Sequence, residues 1–249
     1  MATLSSAVTI KEPKAHWGGT GNPPRYPGGG GDGRSGDGYP NYGERLRRYR
    51  LGLAVGIAPI IMLFVGLTSA YIVRQGLASW DYNTNSYVND WLPVSLPTLI
   101  LSVNTIILLV SSLTMELARR QAARRAALAP ITSIPGIADD EAKGVPWLSI
   151  TVVLGIGFLV GQLLAWRELL DFGFYVATSP SSSFFYLLTG MHAIHLTGGV
   201  LALIYAAVAV AWLKKPIEIK RIVVDVTAWY WHFMALLWLY VFALLEIAR

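Results

Sequence analysis

Residues 183–199 read SFFYLLTGMHAIHLTGG, and they open the longest apolar run of the chain, which continues to Leu213. Helical spacing through this run puts Thr189, His192 and His195 on one side, because residues three and four apart share a face. Gly190, Gly198 and Gly199 are thin places where another helix or a lipid can come close. Polar groups inside a lipid-facing run are costly, so they turn toward protein or water. The stretch reads as one span of a membrane bundle with a polar seam.

The remaining composition fits that reading. The 249 residues are 54% hydrophobic and 14% charged, with a mean hydropathy of +0.48, which points to an integral membrane protein. The chain has no cysteine, which excludes disulfides, iron–sulfur clusters, thiolate copper sites and haem attached through thioether bonds. The first 43 residues contain no apolar core of the kind a cleavable signal needs. Five runs are long enough to cross a bilayer, which takes about 20 helical residues: about 51–73, 92–115, 147–166, 184–213 and 228–247. Pro59 lies inside the first and Pro97 near the start of the second, and membrane helices tolerate such prolines. The fold class predicted is all-α integral membrane, a five-transmembrane-helix bundle.

Charge placement sets the expected orientation. Eight of the 20 Lys and Arg residues lie before Leu51; Arg119, Arg120, Arg124, Arg125 and Lys143 lie between spans two and three; Lys214, Lys215, Lys220 and Arg221 lie between spans four and five. Only Arg74, Arg167 and Arg249 lie on the other side. Basic residues collect on the cytoplasmic side, which predicts a cytoplasmic N terminus and a periplasmic C terminus. Trp80, Trp91, Trp147, Trp212, Trp229 and Tyr230 are expected as interfacial anchors at span ends. Residues 1–43, with eleven glycines from Gly18 to Gly43, read as a disordered Gly/Pro-rich cytoplasmic tail ahead of a membrane domain over 44–249. A tether that orders on a partner is the sharper reading of the tail. The stretch 44–50 (ERLRRYR) is a basic collar. The 116–146 loop begins as an Ala/Arg-rich helical extension and ends in a linker and an acidic patch, 139–141.

Chemistry-bearing residues are few. Charges within the spans are nearly absent, with Asp225 at the inner start and Glu246 at the outer end of the last one. The mid-span polar residues are neutral: Asn104, Thr105, Ser111 and Ser112 in span two and Gln162 in span three. Such groups join helices by hydrogen bonds worth about 0.6–2 kcal/mol. His192, His195 and His232 invite a metal hypothesis, but counting from span ends places His232 about 20 Å from the level of His195, too far for a shared coordination sphere. The same count argues against a bis-histidine haem. No phosphate-cradling loop, nucleophile elbow or catalytic carboxylate pair is present. No catalytic residue, no metal site and no nucleic-acid partner are expected.

The motifs assemble into a family resemblance. Residues 183–199, with Thr189-Gly190, His192 and His195, resemble a signature of subunit III of haem–copper terminal oxidases. The run Trp229-Tyr230-Trp231-His232-Phe233, with Trp238 following, looks like a second. Asn104-Thr105 with Leu108-Leu109 and Ser111-Ser112, Leu154-Gly155 with Phe158 and Gln162, and Gly66 with Ala70-Tyr71 match further segments in order. The resemblance covers about residues 50–247 and implies the five-helix bacterial form of that subunit.

The resemblance implies an accessory role in a cytochrome c oxidase of the bacterial inner membrane: packing on the catalytic subunit, holding phospholipid, and supporting proton uptake by its neighbour. It implies no cofactor in this chain, with haem and copper in partner subunits. Expected partners are oxidase subunits I and II, a small subunit IV, membrane lipids, and another respiratory complex through the tail. His192, His195, Trp229, His232, Trp238, Asn104 and Gln162 are the candidates for structural or lipid contacts. Three positions depart from the family: Ile60, Ala165 and Ala235 stand where it often has acids, so any role of those acids is not carried over. A quinol oxidase subunit III and a nitric oxide reductase accessory protein are the alternatives. A small-molecule transporter predicts midplane charges and inverted repeats, and neither is seen.

Overall fold

A computed structural model describes residues 42–81, 85–88, 91, 97–132, 146–173, 175, 179–213 and 216–247. Five helices dominate: α1 (Tyr42–Gln75), α2 (Thr98–Thr132), α3 (Trp147–Asp171), α4 (Pro180–Ala211) and α5 (Ile217–Ile247). Each is long and apolar enough to cross a membrane. A short antiparallel hairpin, β1 (Ser79–Asp81) and β2 (Ser86–Val88), follows α1.

The helices are longer than the apolar runs. The basic collar is helical, because α1 starts at Tyr42. The chain helix α2 begins just after Pro97 and runs on to Thr132. A capping box starts α4: the Ser182 N–H donates to Ser179 Oγ at 3.2 Å, and the Ser179 N–H donates to Ser182 Oγ at 3.1 Å. Two first-turn donors are thereby satisfied, with Pro180 behind them. The largest difference at a helix start is α5, which begins at Ile217, eleven residues before the expected start at 228. Residues 1–41 and 133–145 lie outside the described residues, so the readings made for the tail and the acidic patch fall there.

Cross-helix contacts fix the arrangement. Contacts from Asn104 to Phe158 and from Thr114 to Thr151 set α3 antiparallel to α2. Trp166–Thr189 and Phe158–His192 do the same for α3 and α4. The contacts His192–Trp238 and Gly199–Trp231 make α4 and α5 antiparallel. Arg50–Asp225 and Thr68–Tyr240 make α1 and α5 parallel. Helices consecutive in the chain therefore alternate in direction, while α1 and α5 pack side by side in parallel. One end of the bundle gathers Arg45, Arg47, Arg48, Arg50, Arg119, Arg120, Arg124, Arg125, Lys220 and Arg221, while Arg74 and Arg167 stand at the other.

The core lies around α5. Trp231 and Trp238 are fully buried, with Phe158, Leu188, Leu196, Leu203 and Met234 about them. The Trp231 indole enters a slot left by two glycines on facing helices. A Cβ on Gly155 would lie 2.8 Å from the Trp231 ring, and one on Gly199 would lie 3.3 Å from it. Small residues at such crossings let membrane helices approach closely. By contrast, α1 is the least covered of the five helices, with Val55, Met62, Val65 and Val73 on its open face.

An ionic layer near the basic end holds α1 to the rest. Asp225 of α5 accepts from Arg50 of α1 at 2.9 and 3.0 Å, and from Arg119 of α2 at 3.3 Å. Arg119 also donates to Glu116 at 2.7 and 3.0 Å, and Arg120 donates to it at 2.9 Å. Asp225, read from sequence as a charge at a span start, is in fact buried and shared by three helices. Removing one partner of a buried pair costs more than the pair itself contributes, because the other charge is left uncompensated.

Two predictions follow from this packing. Gly155→Val should lower the thermal unfolding temperature of the detergent-purified chain, since overpacking costs about 1–3 kcal/mol. Gly157→Val, where a Cβ meets nothing within 4 Å, should leave it within error; equal effects of the two would contradict the slot. Asp225→Ala should speed hydrogen exchange in the first turns of α1 more than Arg50→Ala does, because it leaves Arg50 without a carboxylate and also detaches Arg119, which keeps Glu116, from α5. Unchanged α1 protection in Asp225→Ala would show that the ionic layer does not anchor that helix.

Candidate functional site

The polar residues picked out from sequence fall along the faces where α2, α3, α4 and α5 meet. The α2–α5 seam is the most continuous. Trp238 Nε1–H donates to Thr105 Oγ1 at 2.9 Å, and Trp231 Nε1–H donates to Ser111 Oγ at 3.2 Å. His232 Nδ1 and Ser112 Oγ share a hydrogen bond of 2.6 Å. The seam reaches the ionic layer, where His232 Nε2 lies 3.7 Å from Glu116. Each Trp and His here has a polar edge and a large apolar body, so it can fill a core while bonding across it.

Neighbouring helices are tied in similar ways. Asn104 is buried, and its amide donates to the Phe158 carbonyl of α3 at 3.1 Å. Thr114 and Thr151 share a hydrogen bond of 2.9 Å between α2 and α3. Trp166 Nε1–H donates to Thr189 at 3.2 Å, joining α3 to α4. The Tyr240 hydroxyl donates to Thr68 at 3.0 Å, joining α5 to α1. Lys220 donates to the Val210 carbonyl at 2.9 Å, which satisfies a free acceptor in the last turn of α4.

The three histidines lie at more similar depths than the sequence count placed them. With α5 starting at Ile217, His232 is about 22 Å along it, and His195 is about 24 Å before the end of α4 at Ala211. The contacts His192–Trp238 and Gly199–Trp231 set the register, and in it the levels of His195 and His232 differ by three residues, about 5 Å. The expected separation of 20 Å is therefore wrong, and it cannot set aside a shared metal or haem. What separates the histidines is direction. His232 turns to Ser112 and Glu116 of α2. His195 donates from Nδ1 to the Met191 carbonyl at 2.7 Å, with its ring edge-on to Phe64 of α1. His192 lies in the core, with ring centroids 5.1 Å from Trp238 and 6.1 Å from Phe158. Among the described residues no three His, Asp or Glu side chains converge as metal ligands.

Thus His192, Trp238 and Asn104 meet at Phe158, with Gln162 one turn along α3 from it, while His195 and Trp229 stand apart. Trp229 and Tyr230 were expected at a span end but lie well inside α5. Trp229 is half-exposed beneath the Arg50 guanidinium, 5.6 Å from its ring centre, a cation–π contact. The Tyr230 hydroxyl donates to the His195 carbonyl at 3.0 Å. Gln162 and His192 are buried, and neither has a hydrogen-bond partner among the described residues. The three apolar departures are packed: Ala165 and Ala235 are buried and Ile60 lies partly buried against the core.

Sequence reading missed Glu116, Arg119, Arg50 and Asp225 as a group, and it missed Thr68 with Tyr240. The one available signal was Asp225 itself, an acid flanked by valines and followed by an apolar run. A cleft of about 700 Å³ also opens between α1, α4 and α5, with Arg45 and Arg48 at its rim and Tyr205, Ile222, Val223 and Val226 on its wall.

Comparison with known proteins agrees with these motifs. The profile of the family described as cytochrome c oxidase subunit III matches residues 46–247. The chain is 32% identical over 189 residues to a cytochrome c oxidase subunit 3 of Synechocystis sp., covering 73% of this chain and 68% of that one. It is 28% identical over 204 residues to the Corynebacterium diphtheriae cytochrome c oxidase subunit 3, covering 80% and 87%. It is 26% identical over 209 residues to a probable cytochrome c oxidase subunit 3 of Mycobacterium leprae, covering 83% and 91%. With five membrane-length helices and the subunit III motifs joined in one core, this chain belongs to the cytochrome c oxidase subunit III family.

Proposed function

We propose that this chain is an accessory, non-redox subunit of a bacterial cytochrome c oxidase, packed on the catalytic subunit and holding phospholipid. The observation that carries the reading is how the motif residues are used. Trp231, Trp238, His232, Asn104, Thr105, Ser111 and Ser112 bond to one another or to backbone across helices, so their chemistry holds the bundle together. The absence of cysteine and the three divergent histidines are in keeping with haem and copper residing in subunits I and II. Electrons then pass to dioxygen in those subunits, and this chain supports them. The cleft between α1, α4 and α5 has the chemistry a phospholipid needs: guanidinium groups for a phosphodiester and an apolar wall for acyl chains.

The gathering of arginine and lysine at one end supports placing that end, and the N terminus, on the cytoplasmic side of the plasma membrane. The C terminus is then periplasmic.

Affinity purification through this chain in mild detergent should bring down a haem-containing oxidase with it, while the chain isolated alone should show no visible haem band. A stoichiometric haem on the isolated chain would overturn the accessory reading. Orientation is open to a direct check because the chain has no native cysteine. A membrane-impermeant maleimide applied to spheroplasts should label Tyr87→Cys, and should label Arg124→Cys only after permeabilisation. The reverse pattern would invert the topology.

A further inference from the structure

We infer that Gln162 of α3 and His192 of α4 together bind one internal water molecule in the middle of the bundle. Gln162 is 1% exposed and His192 is 0% exposed. Both amide atoms of Gln162 and both ring nitrogens of His192 lack a hydrogen-bond partner among the described residues. Buried polar groups are nearly always bonded, to protein or to ordered water, and in lipid there is no bulk water to help. Two such side chains in one neighbourhood therefore point to a ligand.

Helical register brings them together. At about 100° per residue, Gln162 projects from α3 between the directions of Phe158 and Gly155, close to that of Trp166. Those three residues meet α4 and α5: Phe158 meets His192 and Trp238, Gly155 meets Trp231 and Val200, and Trp166 meets Thr189. Gln162 consequently faces α4 between the Thr189 and His192 levels, which are one turn apart.

The surrounding polar groups are already occupied. Thr189 accepts from Trp166 and donates to the Phe185 carbonyl at 2.7 Å. Asn104 donates to the Phe158 carbonyl and Trp238 donates to Thr105. The Phe158 and Trp238 rings also stand against His192. The side chains left without partners are the Gln162 amide, with one acceptor and two donors, and the His192 imidazole, with its two ring nitrogens. A direct bond between them would satisfy one amide atom and one ring nitrogen, whereas a water can reach one ring nitrogen and both amide atoms. A water, with two donors and two acceptors, can bond the ring and the amide together, within the two to four bonds typical of buried waters. No carboxylate is among these neighbours, so the site suits water rather than a cation.

A cryo-EM map of the oxidase complex carrying this chain, at a resolution where ordered waters are seen, tests the site. The expected result is an isolated peak about 2.7–3.2 Å from both a Gln162 amide atom and a His192 nitrogen. A direct Gln162–His192 bond without a peak, a dry gap, either side chain bonded elsewhere with no peak, or a metal-like peak about 2 Å from the ring would each overturn it. In the complex bearing Gln162→Leu with His192→Phe, the peak should be lost while the Trp166–Thr189 contact stays. A peak persisting there would overturn the assignment to these two side chains.

Discussion

The structure depends on how Trp231 is seated. Its ring enters between Gly155 and Gly199, and its indole N–H reaches Ser111. One side chain of α5 thus touches α2, α3 and α4 at once. Lipid tails are as apolar as leucine, so membrane helices are not driven together by hydrophobicity; close packing and interhelical hydrogen bonds hold them. A large flat ring with one polar edge supplies both, provided the facing helices offer small residues. The two glycines meet that condition.

From this seat the α2–α5 contact extends in both directions. Toward one end come Thr105 and Trp238, and toward the other come Ser112 with His232 and then Arg119 with Asp225. The apolar part of the seam uses neutral hydrogen bonds, which carry little desolvation cost once paired. The charged part sits where arginine stems can reach water, consistent with partial exposure of Arg50 and Arg119. Asp225 carries the connection on to α1, the helix with least apolar cover. The order along the seam therefore follows what each depth tolerates.

Five spans, their order and the seam's residue types were legible in the sequence, because apolar runs of bilayer length and mid-span polar residues stand out. Helix ends were not. The segment at the start of α5, IEIKRIVVDVT, mixes charges with β-branched residues and forms no continuous apolar run, yet Ile222, Val224, Asp225 and Thr227 are buried by packing. Missing those eleven residues displaced His232 in depth and hid its closeness to the level of His195. The partners of Asn104, Thr105 and Ser111 were also illegible, since periodicity gives a face and not the helix opposite it. The hairpin escaped notice because its strands are three residues each, paired antiparallel with a Trp80–Tyr87 ring contact whose centroids are 5.0 Å apart. Ala165 and Ala235, which stand where the resembling family often carries acids, lie fully enclosed by core side chains, so packing alone accounts for small residues there.

The account makes the core a scaffold, and Trp231→Ala measured in the assembled oxidase tests that most directly. Truncating a large buried aromatic costs about 3–5 kcal/mol, so the variant should reduce the amount of this chain retained in the purified complex. Oxygen consumption per haem at the first turnovers should stay at the parent level in the complexes that do retain it. Full retention of the chain with initial turnover lost would contradict the account, because the residue would then be serving the reaction instead of the bundle.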